Sequence, residues 1–370
     1  MLAAIRCLSV AGFDVTAVGS TRAAPGLWSK TPTARRLAPD PRRWVEGFIS
    51  KLETIVREAH HDVVLLGTDA SLLAVSRHRD RLTPYVHLGL PSQEVVERAL
   101  NKECLAEEAA RVGLTSPETH VCVGPTDGLV AARSLGYPVA VKPVHTVIER
   151  NGAAHRRGSV MVRDAAALEA ATRTLGRFIV QRQAHGEVIS FGGVAVRGGL
   201  RASAVSRYAR MWPAAGGNVS FSETISCPPG LEERVEALVR RIGWEGVFEL
   251  ELIEAENGTL AAIDFNPRPY GSLSLAASAG VPLSAIWCGW LLGEEPRPAT
   301  ARVGARYRWE DADLRHFLSR LRSDRPRRSA FTGLKFRSDV THAYFQARDP
   351  APLIARGVQL VQRLPARLAS

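Results

Sequence analysis

Lysine is scarce in this chain: of 48 basic residues only five are lysine (Lys30, Lys51, Lys102, Lys142 and Lys335), and 43 are arginine. Cysteine is as sparse. Cys7, Cys104, Cys122, Cys227 and Cys288 form no CxxC pair and leave one over, which excludes a disulfide framework and a zinc ribbon and fits reduced core thiols of a cytoplasmic protein. No stretch approaches the ~18–20 uninterrupted apolar residues of a membrane span. The first residues carry Arg6 and then Asp14 inside their apolar run, without the basic region and clean apolar core of a signal peptide. There is no GxSxG elbow, no P-loop and no HExxH among the ten histidines. Serine hydrolases, Walker-type ATPases and zinc proteases therefore lack support.

What is present is ordinary globular protein. Its 370 residues are 45% hydrophobic and 23% charged, enough for two or three domains. The net charge of +11 invites a nucleic-acid reading. Apart from Arg35-Arg36 and Arg325-Pro-Arg-Arg328, however, the arginines are dispersed, whereas a nucleic-acid face concentrates them with interleaved aromatics. An arginine bias of this kind fits coding composition, and it leaves a surface that attracts anionic substrates.

Helical and strand-like segments alternate through the first hundred residues. Residues 2–11 have helical spacing, Phe13–Val18 reads as a strand, and a polar loop runs from Ser20 to Pro41. The stripe Trp44, Phe48, Ile49, Leu52, Ile55 and Val56 marks a helix over 42–59. Asp62–Leu66 reads as a buried parallel strand, so an open α/β sheet is expected. The chain opens on a helix where such a fold calls for a strand; either that strand is missing or the start is incomplete. One helix is expected over Pro91–Arg111, closed by Gly113. Short strands follow at Thr119–Val123 and Val139–Lys142. Beyond residue 178 the texture becomes antiparallel, with strands at 178–181, 188–196, 200–206, 246–253 and 259–265, a helix over 230–242 and an apolar one over 271–293. The last seventy residues read as an appended, partly irregular segment.

Chemistry concentrates in Gly246-Val-Phe-Glu-Leu-Glu-Leu-Ile-Glu254, the hairpin turn Asn257-Gly258, and Leu260-Ala-Ala-Ile-Asp-Phe-Asn-Pro-Arg268. Strand alternation puts Glu249 and Glu251 on one face, and Asp264 with Asn266 likewise, opposite Leu250, Leu252, Ile263 and Phe265. Carboxylates gathered this way repel one another unless a cation sits among them, and hard oxygen donors suit Mg²⁺ held with substrate phosphates. Arg268 adds a phosphate-capable cation beside them. Alternation by itself also describes a solvated strand face.

This hairpin resembles the metal-binding hairpin of the ATP-grasp superfamily, in particular its carboxylate–amine ligase branch. Further segments resemble the family's motifs in their order: Leu66-Gly-Thr-Asp69, Asn101-Lys102, Gly113-Leu-Thr-Ser-Pro117, Leu135-Gly-Tyr-Pro-Val-Ala-Val-Lys-Pro143, Phe178-Ile-Val-Gln-Arg-Gln-Ala-His-Gly186, and Arg207-Tyr-Ala-Arg-Met-Trp-Pro213 with Gly216-Gly217. The likeness covers residues 1–295. Single motifs are weak, and their shared order makes the match specific. That two of only five lysines fall at family lysine positions adds independent weight.

The resemblance implies an ATP-grasp fold of mixed α/β and α+β class. An N-terminal open α/β domain would span 1–98, the two ATP-grasp halves 99–180 and 181–298, and an arginine-rich extension 299–370. It implies ATP and Mg²⁺, with Lys102 and Lys142 on phosphates, the hinge near Gln181, Arg182 and Gln183 on adenine, and Glu187 on the ribose. Metal ligands would be Glu251, Asp264 and Asn266, with Glu249 competing with Glu251. Arg268, and with it Arg207 or Arg210, would stabilise an acyl phosphate. The reaction would join a small-molecule carboxylate to an amine, with no nucleic-acid or membrane partner and a homodimer compatible with the family. Several residues depart from the pattern. Asp264 replaces the usual Glu and Arg182 the usual hinge acid. Residues 144–160 offer a hairpin at Asn151-Gly152 carrying His155, Arg156 and Arg157 in place of a glycine-rich phosphate lid. These departures keep open a non-catalytic nucleotide binder on the same fold.

Overall fold

A computed structural model describes residues 1–156, 158–213, 216–321 and 339–362 of the chain. The N-terminal part runs α1 (Leu2–Val10), β1 (Thr16–Gly19), α2 (Pro25–Trp28), β2 (Ala34–Leu37), α3 (Val45–Glu58) and α4 (Asp69–Arg77). Helix α3 buries Phe48, Ile49, Leu52, Ile55 and Val56 of the expected stripe, while Trp44 stands at its N-cap and is exposed. Helix α4 starts at a capping box in which the Thr68 side chain accepts from the Ser71 N–H and the Ser71 side chain accepts from the Thr68 N–H.

The open sheet expected here is reduced to a parallel pair, β1 with β2. Strand β2 lies inside the segment read as loop. Asp62–Leu66 does not form a strand: only Val63 makes an isolated bridge, to His87. Its apolar run packs without a neighbouring strand to pair with, so apolar content alone misled the assignment.

Next come α5 (Gln93–Ala99), α6 (Lys102–Arg111), β3 (Thr119–Val123), α7 (Pro125–Leu135), β4 (Val139–Pro143), β5 (Val147–Arg150), β6 (Ala153–Arg156), β7 (Val160–Val162), α8 (Ala165–Thr172) and β8 (Arg177–Arg182). The single helix expected over 91–111 is two. Asn101 is extended, and its Oδ1 accepts from the N–H groups of Glu103 (2.9 Å) and Cys104 (3.3 Å), which starts a new helix at Lys102. Strands β3, β8, β4 and β7, in that order, make a four-stranded antiparallel sheet. Helices α7 and α8 cover one face of it, over Val139, Val141, Phe178 and Val180.

The rest comprises β9 (Glu187–Val196), β10 (Gly199–Trp212), β11 (Asn218–Thr224), α9 (Leu231–Ile242), β12 (Gly246–Glu254), β13 (Leu260–Asn266), α10 (Leu273–Ser278), α11 (Leu283–Leu291), β14 (Ala299–Thr300), β15 (Arg306–Arg308), α12 (Glu310–Leu321), β16 (Val340–His342) and α13 (Ala351–Gln362). The large sheet runs β13-β12-β9-β10-β11-β15-β16, with β14 pairing β10. Its Leu250 and Leu252 face packs on α9 through Leu231, Val235, Leu238 and Val239. Two corrections follow. The apolar helix over 271–293 breaks at Gly280, whose φ of +96° is a left-handed conformation that glycine tolerates. The described part of the last seventy residues is not merely appended, because β15 and β16 extend the large sheet, as β14 does just before them. The Arg325–Arg328 cluster and Lys335 lie outside the described residues.

Candidate active site

Strand register builds the acidic face as its spacing predicts. Glu249 pairs with Asn266, Leu250 with Phe265 and Glu251 with Asp264. A bulge after Glu251 puts Ala262 opposite Leu252, so Ile263 is displaced from the leucine face.

The four-stranded sheet meets this hairpin with its helix-free face, along which Ala140 and Lys142 alternate with the buried Val139 and Val141. Lys142 Nζ donates to the Ile263 carbonyl at 3.1 Å. Burial, with the nearby Lys102 ammonium, lowers Lys142 to about 8, and Asp264 and Glu251 partly offset this. Lys102 arrives from the first turn of α6, tied to the small sheet's outgoing strand by its N–H to the Val144 carbonyl at 3.0 Å. Its Nζ contacts Asp264 Oδ1 directly. Burial opposes ionisation of Asp264, but Lys102, Lys142 and Arg268 together outweigh it and hold the carboxyl below its ordinary range.

The two glutamates are treated differently. Glu249 is buried and accepts from Ser190 Oγ (2.6 Å), Tyr208 Oη (3.1 Å) and Asn266 Nδ2 (3.0 Å). Glu251 accepts from Tyr208 Oη at 2.9 Å. One phenolic hydrogen thus faces two carboxylates. Burial, then the charges of Glu249 and Asp264, push Glu251 up to about 8. Of the two acids, Glu251 is the one with spare acceptor capacity and a deficit of positive charge. Among the described residues no three acidic, histidine or cysteine side chains converge tightly enough to hold a metal by themselves. Two carboxylates and an amide, completed by phosphate oxygens, remain a donor set that suits Mg²⁺. The half-satisfied Glu251 has acceptor capacity left for such a cation.

Arg268 closes the cluster. It bonds Asp69 through Nε, Asn266 Oδ1 through Nη2 at 3.1 Å, and the Pro269 carbonyl through Nη1 at 3.3 Å. Asp69, Asn101, Lys102, Thr146, Asp264 and Arg268 border a cavity of about 40 Å³.

Other expected residues lie elsewhere. Arg207, Glu187 and Glu254 form an ion-pair triad, 3.0 Å on each side of the guanidinium, on the opposite face of the large sheet. Strand β10 extends further than its apolar pattern, which is why Arg207 alternates away from the site while Tyr208 points into it. Arg210 follows a bulge; it bonds both oxygens of Asp313 on α12 (2.6 and 2.9 Å) and lies over the Phe221 ring at 4.2 Å. It ties the C-terminal segment to the sheet. In the hinge, Gln181 is buried and donates to Thr119 Oγ1 at 2.9 Å. The Arg182 side chain points outward to Glu118 and the Leu135 carbonyl. Gln183 lies just past β8, half-buried. Gly186 is required there: a Cβ would stand 2.1 Å from the Glu254 carbonyl oxygen.

The loop over 144–160 is the expected hairpin, β5 with β6, turning at Asn151-Gly152, both at positive φ. It docks on the N-terminal part: Val45 N–H donates to the Gly152 carbonyl (2.8 Å), and Ala154 N–H to that of Pro41 (2.9 Å). His155 is exposed, and Arg157 lies outside the described residues. Asp69, Tyr208 and Ser190 are site residues that the sequence reading did not single out. For Tyr208 the signal was there in strand parity with Arg207, and for Asp69 in the Leu66–Asp69 motif.

No family model and no curated protein sequence matches this chain. Solved structures do. The biotin carboxylase domain of the Hydrogenobacter thermophilus 2-oxoglutarate carboxylase, solved with MgADP, ADP and bicarbonate, aligns with a TM-score of 0.63 at 16% identity, over 82% of this chain and 70% of that one. The N5-carboxyaminoimidazole ribonucleotide synthetase from Thermus thermophilus gives 0.61 at 16%, over 82% and 79%. The L-amino acid ligase from Bacillus licheniformis gives 0.60 at 18%, over 79% and 71%. At these identities the likeness is one of fold. Two sheets closing on an acidic hairpin define a mixed α/β and α+β architecture. It is the ATP-grasp fold that the ordered motifs resembled.

Proposed function

We propose that the chain is an ATP- and Mg²⁺-dependent ligase joining a carboxylate to an amine through an acyl phosphate, with release of ADP and phosphate. One observation carries the reading: Lys102 and Lys142 approach Glu251, Asp264 and Asn266 from the opposing elements, with Arg268 beside them. A half-buried acidic cluster faced by compact ammonium groups is suited to phosphates and a divalent cation. Residues 99–180 and 181–298 supply the two sides of the cleft.

Lys102 and Lys142 would hold phosphate oxygens, and Lys102 would leave Asp264 to do so. Glu251, Asp264 and Asn266 would hold Mg²⁺, which supplies charge neutralisation on the phosphates when bound. The substrate carboxylate oxygen attacks the γ-phosphorus as the bond to the ADP oxygen breaks. The amine nitrogen then attacks the carbonyl carbon, phosphate leaves, and the amine loses a proton. Arg268 is placed to meet the charge on the transferring group, so the protein's work is chiefly positioning and electrostatics. The cavity of about 40 Å³ that these residues border is smaller than a nucleotide, so loading would widen the cleft.

The Lys102–Asp264 contact favours a second reading, in which this lysine permanently replaces the metal and the fold only binds nucleotide. Turnover separates the two. Purified protein with MgATP and panels of carboxylates and amines should release ADP and phosphate in substrate-dependent fashion. With hydroxylamine as the amine it should yield a hydroxamate. ATP binding without ADP release for any acid, hydroxylamine included, supports the binder.

A further inference from the structure

The ligase reading leaves unexplained a carboxylate that comes from outside both sheets. Asp69 opens α4, only 7% exposed, and meets Arg268 Nε. Its backbone is fixed: Thr68 and Ser71 cap the helix, and every residue from Asp69 to Ser76 is buried. The guanidinium it holds is always charged and sits on a long flexible stem. Nearby are two other anions, Glu249 and Asp264, both of which feel the Arg268 charge. Asp264 already carries one cation, Lys102.

From this juxtaposition we propose that Asp69 is a positioning residue: it holds the Arg268 guanidinium away from Glu249 and Asp264, so that the hairpin carboxylates stay available to a divalent cation. The proposal rests on the metal-hairpin reading above. Without the anion at position 69, Arg268 loses the charge that balances it there while the Coulomb attraction of the hairpin remains. The guanidinium then turns toward the hairpin and competes with the metal. The N-terminal part of the molecule thereby governs metal affinity without supplying a ligand. Asn266 shares in this arrangement, since its Oδ1 accepts from Arg268 while its Nδ2 donates to Glu249.

The test uses Mn²⁺ alone as probe, titrated calorimetrically into the full chain as wild type, Asp69→Asn, Asp69→Glu, Arg268→Met and the Asp69→Asn/Arg268→Met double variant. Asp69→Asn should weaken Mn²⁺ binding roughly tenfold, as loss of an outer partner of a metal site does. Arg268→Met should bind at least as tightly as wild type, and the double variant should match Arg268→Met, because no guanidinium remains to compete. Asp69→Glu, which keeps the anion, should stay close to wild type and covers the case in which the Asn variant fails to fold. A merely structural Asp69 would weaken binding in the double variant too. That result overturns the proposal, as does unchanged affinity in Asp69→Asn, a Glu variant that binds as poorly as the Asn variant, or wild type that takes no Mn²⁺. A thermal shift of wild type with ATP, run alongside, judges the nucleotide reading separately.

Discussion

Asp349 and Glu251 are two carboxylates removed from bulk water and treated in opposite ways. Asp349, 3% exposed, accepts from Arg6 Nε (3.0 Å) and Nη2 (2.9 Å), Ser29 Oγ (2.7 Å) and the Lys30 N–H (3.0 Å). Burial opposes its charge, yet those donors prevail and hold its carboxyl below the ordinary range. Glu251 accepts from one phenol and faces two further acids, and it is pushed up to about 8. The first arrangement is complete as it stands and fastens the segment before α13 to α1 and α2. The second is incomplete in a way that a cation would cure. A buried carboxylate with a full set of donors needs no ligand to complete it, and one left short is a candidate site for one.

The largest way to sharpen this contrast is Arg268→Met. It should lower turnover roughly 10²–10³-fold, the scale of losing a preorganised charge partner, while the thermal shift with ATP persists. Turnover within a few-fold of wild type would remove Arg268 from the mechanism.

Asp349→Ala comes next. Leaving Arg6 buried without its partner should cost about 3–5 kcal/mol in urea unfolding, with nucleotide affinity in the folded protein unchanged. The isosteric Asp349→Asn gives the pH sign. A carboxyl whose folded pKa is depressed contributes stability above its unfolded pKa, near ~3.9, and loses it as pH falls through the lower folded value. The stability gap between wild type and Asp349→Asn should therefore be constant at neutral pH and narrow only below about pH 4. A gap that narrows nearer neutrality would contradict the assignment.

Arg210→Met should cost about 1–2 kcal/mol through its bonds to the partly shared Asp313, and it should leave ATP affinity within experimental error. A selective loss of turnover, with fold and ATP affinity intact, would restore the acyl-phosphate role that the motif resemblance implied. The smallest effect belongs to Glu251→Gln. Glu251, pushed up to about 8, takes up a proton on folding at neutral pH; an amide needs none, so the variant should raise the melting point of the metal-free protein, where Asp349→Asn lowers it.

Much of this was legible in the sequence, and for identifiable reasons. The hairpin from Gly246 to Arg268 could be read because strand alternation and an Asn-Gly turn are local rules, and its register followed them from Glu249–Asn266 to Glu251–Asp264, where a bulge shifts it. Lys102 and Lys142 stood out because lysine is so rare here. What failed depended on distant partners. Arg207 and Arg210 matched a motif, but β10 runs on past its apolar pattern and a bulge intervenes, so their directions were set by β9, β11 and α12. The C-terminal strands are only two or three residues long and exist because the large sheet offers them an edge. Asp69 could be quoted in a motif, but its place against Arg268, 199 residues away, is a tertiary fact.

The most direct measurement is the thermal midpoint with and without ATP plus Mg²⁺, on wild type and on the Glu251→Ala/Asn266→Ala variant. Ligand at about a hundred times its Kd should stabilise wild type by roughly 2.7 kcal/mol and leave the variant unmoved. A wild type that does not respond to ATP, ADP or GTP would mean that the fold has kept its shape without its nucleotide site, and the ligase reading would be abandoned.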